Sequence, residues 1–246
     1  MSLFMVGARR LAPLMIPDKS VPLSGSGAYG VVRTEKIAFF RRRTLRWSRN
    51  HARSFPWRET KDPYSILIGE LLLQRTRGEH VSNVYEEFLS RWPTPEALGR
   101  ARASSVEDVI RPLGLKQRAH RLVVLGRELE RRGGVPIDPG ELVTLPGVGP
   151  YVSHAVPVFA AGRDLPLVDW VISRVLRRFF GLPQGKRPNA DEELWLLARA
   201  VVRSGRARDV WLGTLDLAAD VCRGRPRCEV CPLNGMCEYP RNRTSS

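Results

Sequence analysis

The sequence predicts an all-α fold. Apolar residues recur at helical spacing in one segment after another, no stretch alternates apolar and polar residues as a half-buried strand would, and glycine and proline punctuate the periodic segments. The first 34 residues mix Gly, Ser and Pro without a sustained period and read as a flexible extension. From Ile37 the pattern turns helical. Val81, Val84, Tyr85, Phe88, Leu89 and Trp92 form one apolar stripe, which Pro93 ends. Ser105 and Asp108 form a capping box ahead of Val109 and Ile110, with Gly114 as the stop. Leu122, Leu125 and Leu129 stripe the next helix, closed by Gly133 and Gly134. Further helices are expected around 152–160, 172–180, 192–202 and 211–221. No repeat of 20–50 residues is visible.

A chain of 246 residues can bury a substantial core as one domain or two compact lobes. With 43% apolar and 26% charged residues it is not a disordered polymer. No apolar run reaches the ~20 residues of a membrane helix, so no membrane partner is expected. Arg9 and Arg10 break the apolar stretch near the start, which does not read as a secretory signal, and a cytoplasmic location is expected. The net charge of +15 and pI near 10.7 favour a polyanionic partner, because neutralising phosphates releases counterions. Nucleic acid fits that charge better than an acidic protein or a membrane surface.

Leu145-Pro146-Gly147-Val148-Gly149-Pro150 lies between two helical segments. Its two glycines permit positive φ and leave backbone N–H groups unshielded, and Pro150 suits the first position of the following helix. Such a nest of donors at a helix N-terminus can hold a phosphate. The residues alone leave open that it is only a turn.

Two carboxylates are candidates for chemistry. Glu70 sits among Ile66, Leu67, Ile68, Leu71, Leu72 and Leu73, a segment apolar on every side and expected to be buried. Desolvation would raise its pKa and keep it protonated as an acid, although pairing with an arginine is equally compatible with the pattern. Asp169 precedes a helical segment and reads as its N-cap, where the helix dipole would keep it ionised.

All four cysteines fall within 16 residues, Cys222, Cys228, Cys231 and Cys237, spaced C-x5-C-x2-C-x5-C. That concentration favours metal ligation over disulfides, and the spacing is compatible with zinc or a [4Fe–4S] cluster.

Taken together, these motifs resemble the helix-hairpin-helix, Gly/Pro-Asp superfamily of DNA glycosylases. They comprise the Leu-Pro-Gly-Val-Gly hairpin, Val168-Asp169 downstream, and Phe55-Pro56-Trp57-Arg58, Asp62-Pro63-Tyr64 and Glu70-Leu71-Leu72-Leu73-Gln74-Arg75-Thr76 upstream. The MutY and endonuclease III-like branch is the nearest, and within it the thymine-mismatch glycosylases. The resemblance runs from about Phe55 to Cys237. It implies a two-lobed helix-hairpin-helix fold with a C-terminal cysteine-ligated iron–sulfur loop. The helical lobe would span 66–160 and the cluster lobe 35–65 with 161–237, followed by a tail at 238–246.

For the site, the resemblance implies that Glu70 protonates the departing base and that Asp169 stabilises the sugar cation or orients water. Gln74 and Arg75 would lie near the gap left by a flipped nucleotide, and Gly147, Val148 and Gly149 would grip the DNA backbone. Relatives that cut the strand place a lysine immediately after the hairpin; Tyr151 stands there in this chain. The expected activity is therefore release of a mispaired base without strand cleavage, preferentially thymine or uracil opposite guanine. The alternatives are adenine opposite guanine or 8-oxoguanine, and a DNA-binding relative without activity. The expected partner is double-stranded DNA containing a mismatch or damaged base, met by a monomer. Arg223, Arg225 and Arg227 would present a basic loop to that DNA. Trp170 and Val171 depart from the residues usual after the Asp, and His154 reads as a solvated side chain one turn past Tyr151.

Overall fold

The computed structural model describes residues 34–114, 117–183, 185–203 and 205–239; of the extension expected at 1–34, residues 1–33 lie outside them and Thr34 opens the first helix. The described residues are helical, as their periodicity predicts. They form α1 (Thr34–His51), α2 (Pro56–Glu59), α3 (Pro63–Leu72), α4 (Gly78–Arg91), α5 (Pro95–Gly99), α6 (Ala103–Ile110), α7 (Gln117–Arg132), α8 (Pro139–Leu142), α9 (Pro150–Ala161), α10 (Trp170–Phe180), α11 (Glu192–Val202) and α12 (Ala207–Asp220). Single 3-10 turns cover Arg111–Leu113, Pro188–Ala190, Cys228–Val230 and Asn234–Met236.

The ends of these helices have local causes. Asp62 caps α3 by accepting from the Ser65 amide at 2.8 Å, with Pro63 pre-set at the first position. Thr94 caps α5 through Ala97, and Asp138 caps α8 through Gly140 and Glu141. Left-handed glycines close α9 at Gly162 and α10 at Gly181. The capping box expected at Ser105 does not form. Helix α6 starts at Ala103 with Arg102 in the capping position, which leaves Ser105 inside the first turn, and Asp108 pairs with Arg111 one turn on.

Helix α3 explains its own hydrophobicity. Eight of its ten residues are buried, because α4 and α9 both pack on it. Helices α5 and α7 cross with backbone against backbone at Gly99 and Gly126, where a methyl group on Gly126 would lie 2.5 Å from the Gly99 nitrogen. Helix α1 lies along α12 and touches α11, and α10 packs on α12. Phe40 tilts against Phe179 and Phe180 at ring distances of 5.3 and 5.9 Å, joining α1 to α10. Contacts between α9 and α12 connect the two sets of helices. The expected tail is not wholly detached: Glu238 accepts from Lys36 at 2.6 Å. No helix among the described residues is long and apolar enough to cross a membrane.

Candidate active site

Helix α3 carries Glu70 into the core, where only 7% of the residue is exposed. Desolvation, reinforced by the neighbouring Asp169, raises its pKa to about 7. The Arg58 charge and a hydrogen bond from Tyr151 oppose that rise. The arginine pairing that the sequence left open is not made: Arg58 turns both guanidinium nitrogens to Asp216, at 2.9 Å each. Asp216 is 1% exposed, so Glu70 feels the Arg58 charge only alongside its counter-ion.

Tyr151 stands in the first turn of α9, directly behind the hairpin. Its hydroxyl donates to the Glu70 carboxyl. Burial, with the nearby Glu70 and Asp169 charges, holds the phenol well above its ordinary pKa, so it is a neutral donor.

Asp169 caps α10 as expected, accepting from the Ile172 amide at 2.6 Å. The expectation that the helix end alone sets its charge needs correcting. Burial raises its pKa overall, while amide donors from Ile172 and Val171 pull it down. The two carboxyls are therefore neighbours in a shared desolvated site, and they differ in their donors. Asp169 has backbone amides that favour its ionised form, and Glu70 has one phenol. A single proton shared between them belongs on Glu70.

The hairpin uses its two glycines differently. Gly147 has φ +84°, whereas Gly149 is extended at φ −102° and serves as the N-cap of α9. A methyl group on Gly147 would also meet the Arg121 side chain at 2.7 Å, but one on Gly149 would meet nothing within 4 Å. Leu145 and Val148 are buried and pin the hairpin to the core. Val148 also donates its amide to the Leu145 carbonyl at 3.1 Å, which closes the turn.

Gln74 and Arg75 follow α3 in a turn beside the hairpin. The Gln74 amide donates to the Gly147 carbonyl at 3.1 Å. Arg75 is exposed and left-handed, with φ +60°. Together with Gln117, Arg118, Arg121 and Gly147 they line a cleft of about 330 Å³. Arg118 is 8% exposed beneath it. Nothing in the local sequence marked Arg118, Asp216 or the role of Arg58, whose partners lie 44 to 158 residues away in the chain.

His154 is half-buried rather than solvated. Its ring lies 5.0 Å from that of Trp195, its Nδ1 hydrogen-bonds the Pro150 carbonyl at 2.9 Å, and burial lowers its pKa. Trp170, next to Asp169, is 67% exposed.

The four cysteines follow α12 and are all half-buried. Burial raises the Cys231 thiol to about 11, with Cys222, Cys237 and Cys228 adding to the rise. The thiols thus lie within electrostatic reach of one another. Arg178 anchors the loop, donating to Cys222 Sγ at 3.5 Å and to the Gly224 carbonyl at 2.9 Å. No group of three or more His, Cys, Asp or Glu side chains among the described residues has the arrangement of a metal-ion site.

Comparison with known proteins bears on this arrangement. Residues 68–199 match the profile of the HhH-GPD superfamily base excision DNA repair proteins. A thymine-DNA glycosylase of Aeropyrum pernix is 41% identical over 215 residues, covering 84% of this chain and 96% of the relative. A thymine/uracil-DNA glycosylase of Pyrobaculum aerophilum is 38% identical over 213 residues, covering 83% and 93%. Among solved structures, that of a thermostable thymine-DNA glycosylase superposes with a TM-score of 0.80 at 36% identity, over 85% of this chain and 98% of the other.

Proposed function

This chain belongs to the HhH-GPD superfamily of base excision DNA repair proteins and is a DNA glycosylase, and from that premise we propose that it removes thymine or uracil mispaired with guanine and leaves the strand uncut. The observation that carries the chemistry is the group formed by buried Glu70 with half-buried Tyr151 and Asp169, with Glu70 held near a pKa of about 7.

Protonated Glu70 donates to the departing base as the bond to C1′ breaks and the electron pair leaves with the base. Asp169, whose backbone amide donors favour its ionised form against the rise that burial imposes, stabilises the positive charge that builds on the sugar. Water then adds its hydroxide to C1′, and its remaining proton restores the acid. The target must first be flipped out of the duplex, because none of these groups could reach a stacked base. Tyr151 is a neutral phenol, and no lysine lies between Lys116 and Lys186, so the segment from α7 through α10 supplies no amine for a Schiff base.

The cysteine loop carries a further reading. Cys222, Cys228, Cys231 and Cys237 would hold a [4Fe–4S] cluster, which would supply structural cross-linking of the loop that follows α12. Burial and the neighbouring cysteines raise the Cys231 and Cys237 thiols, and the Arg178 guanidinium donates to Cys222 Sγ, a setting that suits a cofactor held by several thiolates. Iron and acid-labile sulfide in equal amounts, with broad visible absorption, would support it; colourless protein containing zinc would replace it with a zinc site. In the cell the enzyme would act as a monomer on cytoplasmic, nucleoid-associated DNA.

The deciding experiment treats labelled duplexes bearing T:G, U:G, A:G and A opposite 8-oxoguanine, then cleaves abasic sites with alkali. Breaks in the T:G and U:G duplexes only after alkali are expected. Breaks confined to the adenine duplexes would make this an adenine glycosylase. Breaks without alkali would contradict release of the base alone, and no breaks at all would favour a binding protein.

A further inference from the structure

We propose that Arg118 is a positioning residue that sets the conformation of Arg75, and so delivers the Arg75 guanidinium to DNA at the cleft beside the glycine hairpin. The inference rests on the DNA-glycosylase reading, and it concerns a side chain that makes no contact with the reacting atoms.

Arg118 lies on α7, 8% exposed, with no carboxylate among its hydrogen-bond partners in the described residues. It donates instead to two backbone carbonyls, Leu72 at 3.0 Å and Gln74 at 2.6 Å. The Leu72 carbonyl belongs to the last residue of α3, where a helix leaves its last acceptors unmatched and presents a partial negative charge, and the Gln74 carbonyl lies in the turn that follows. A buried arginine can bridge the two carbonyls because its donors form a rigid fork. The chain then turns, and the next residue, Arg75, adopts φ +60°. Among the described residues, Arg75 and Arg206 are the non-glycine residues with positive φ. Such a conformation persists only where its surroundings hold it, and it is commonest where a side chain has a task.

The holding contacts come from three sides. Arg118 grips the carbonyl just before Arg75, the Gln74 amide donates to the Gly147 carbonyl at 3.1 Å, and the Thr76 amide donates back to Leu73 at 3.0 Å. The turn and the hairpin therefore form one unit, and Arg75, exposed at its apex, lines the same cleft as Gly147 and Arg121. An exposed arginine beside a backbone grip for phosphates is placed for a phosphate or a base edge. Without Arg118, Arg75 would relax toward negative φ and its guanidinium would swing away.

The test is a double-mutant cycle between Arg118→Met and Arg75→Ala on the full-length protein. Binding is measured with a duplex carrying a tetrahydrofuran abasic analogue opposite guanine, a probe that needs no excisable base. Arg118→Met and Arg75→Ala should each weaken binding about ten-fold, and together no more than either alone. A double variant weakened about a hundred-fold would show two independent effects and overturn the proposal. So would Arg118→Met binding like the parent.

Arg118→Lys, which keeps the cation but can grip one carbonyl at a time, guards against misfolding. It should give a smaller loss that also vanishes in the Arg75→Ala background. A loss that persists there would mean Arg118 serves only the fold. Because the probe holds no base, the outcome stands apart from whether thymine, uracil or adenine is the true target. A parent that bound the probe no better than matched duplex would fail the glycosylase reading instead.

Discussion

The Tyr151 hydroxyl donates to the Glu70 carboxyl, which ties the first turn after the glycine hairpin to the middle of a buried helix. The hairpin that would hold the backbone and the acid that would protonate the base are thus one hydrogen bond apart. Any shift of the hairpin reaches the proton donor directly.

The pH dependence of base release follows from that bond. Glu70 donates only when protonated, and its pKa of about 7 means the donor form declines as pH rises through neutrality. The single-turnover rate should fall about ten-fold per pH unit on the alkaline side. The Tyr151 hydrogen bond favours the ionised carboxylate, so Tyr151→Phe should move this limb to higher pH. An alkaline limb that stays in place in Tyr151→Phe would remove the phenol from the control of Glu70.

Stability should also fall with rising pH through the same group. A carboxyl whose folded pKa is about 7, against an ordinary 4.5, binds its proton more tightly in the folded chain. Its stabilising effect is complete below about pH 4.5 and lost as pH rises toward 7, above which the buried charge destabilises the fold. Glu70→Gln should therefore be more stable than the parent by up to about 3 kcal/mol at pH 8, and no different by this route at pH 4. Its base release should be lost at every pH. Denaturant titrations at the two pH values check the first claim, and equal differences at both would refute it.

Much of this site could be read from the sequence because its signals are local. Glu70 stood out as the one charged residue in an apolar run, and Asp169 preceded a helical period by one position. The hairpin was legible for the same reason, although only Gly147 needs a left-handed backbone. What escaped was set by contacts between distant segments. Asp216 and Arg58 are 158 residues apart, and Arg118 meets Gln74 across 44. Asp169 was expected to keep an ordinary charge because its helix cap was visible, but the burial opposing that cap comes from neighbouring helices and leaves no local mark. Ser105 misled in the same way, since a capping pattern cannot reveal that Asp108 will prefer Arg111.

Asp169 combines two roles that substitution can separate. Asn is as good an N-cap as Asp but carries no charge, so Asp169→Asn should keep its melting temperature and lose base release by at least about a hundred-fold. Asp169→Ala should lose base release to a similar degree and also lose the cap, at about 1 kcal/mol. Equal activity in Asp169→Asn and the parent would mean that the charge is not used.

Breaking the Arg58–Asp216 pair should affect both the fold and the acid. Both guanidinium nitrogens meet the carboxylate at 2.9 Å, and Asp216 is 1% exposed. Removing one partner leaves an uncompensated buried charge, so Asp216→Ala should destabilise the protein by about 3–5 kcal/mol. With its counter-ion gone, Arg58 would also act more strongly on Glu70 and depress its pKa, moving the alkaline limb of the rate to lower pH. Thermal unfolding and the pH profile of any remaining folded enzyme test the two halves separately. A change below about 1 kcal/mol would place the pair among ordinary surface contacts.

The two hairpin glycines should answer differently to the same substitution. Gly147 has φ +84°, and a methyl group there would lie 2.7 Å from the Arg121 side chain. Gly147→Ala should cost about 1–2 kcal/mol for the left-handed backbone alone, and should weaken DNA binding by displacing Arg121 from the cleft. Gly149 is extended and a methyl group there meets no atom of the protein within 4 Å. Gly149→Ala should leave the melting temperature unchanged. If it nevertheless weakens binding to an abasic duplex, the missing space is occupied by DNA, which would locate the phosphate at the entrance to α9. Equal destabilisation by both substitutions would contradict this division of labour within the hairpin.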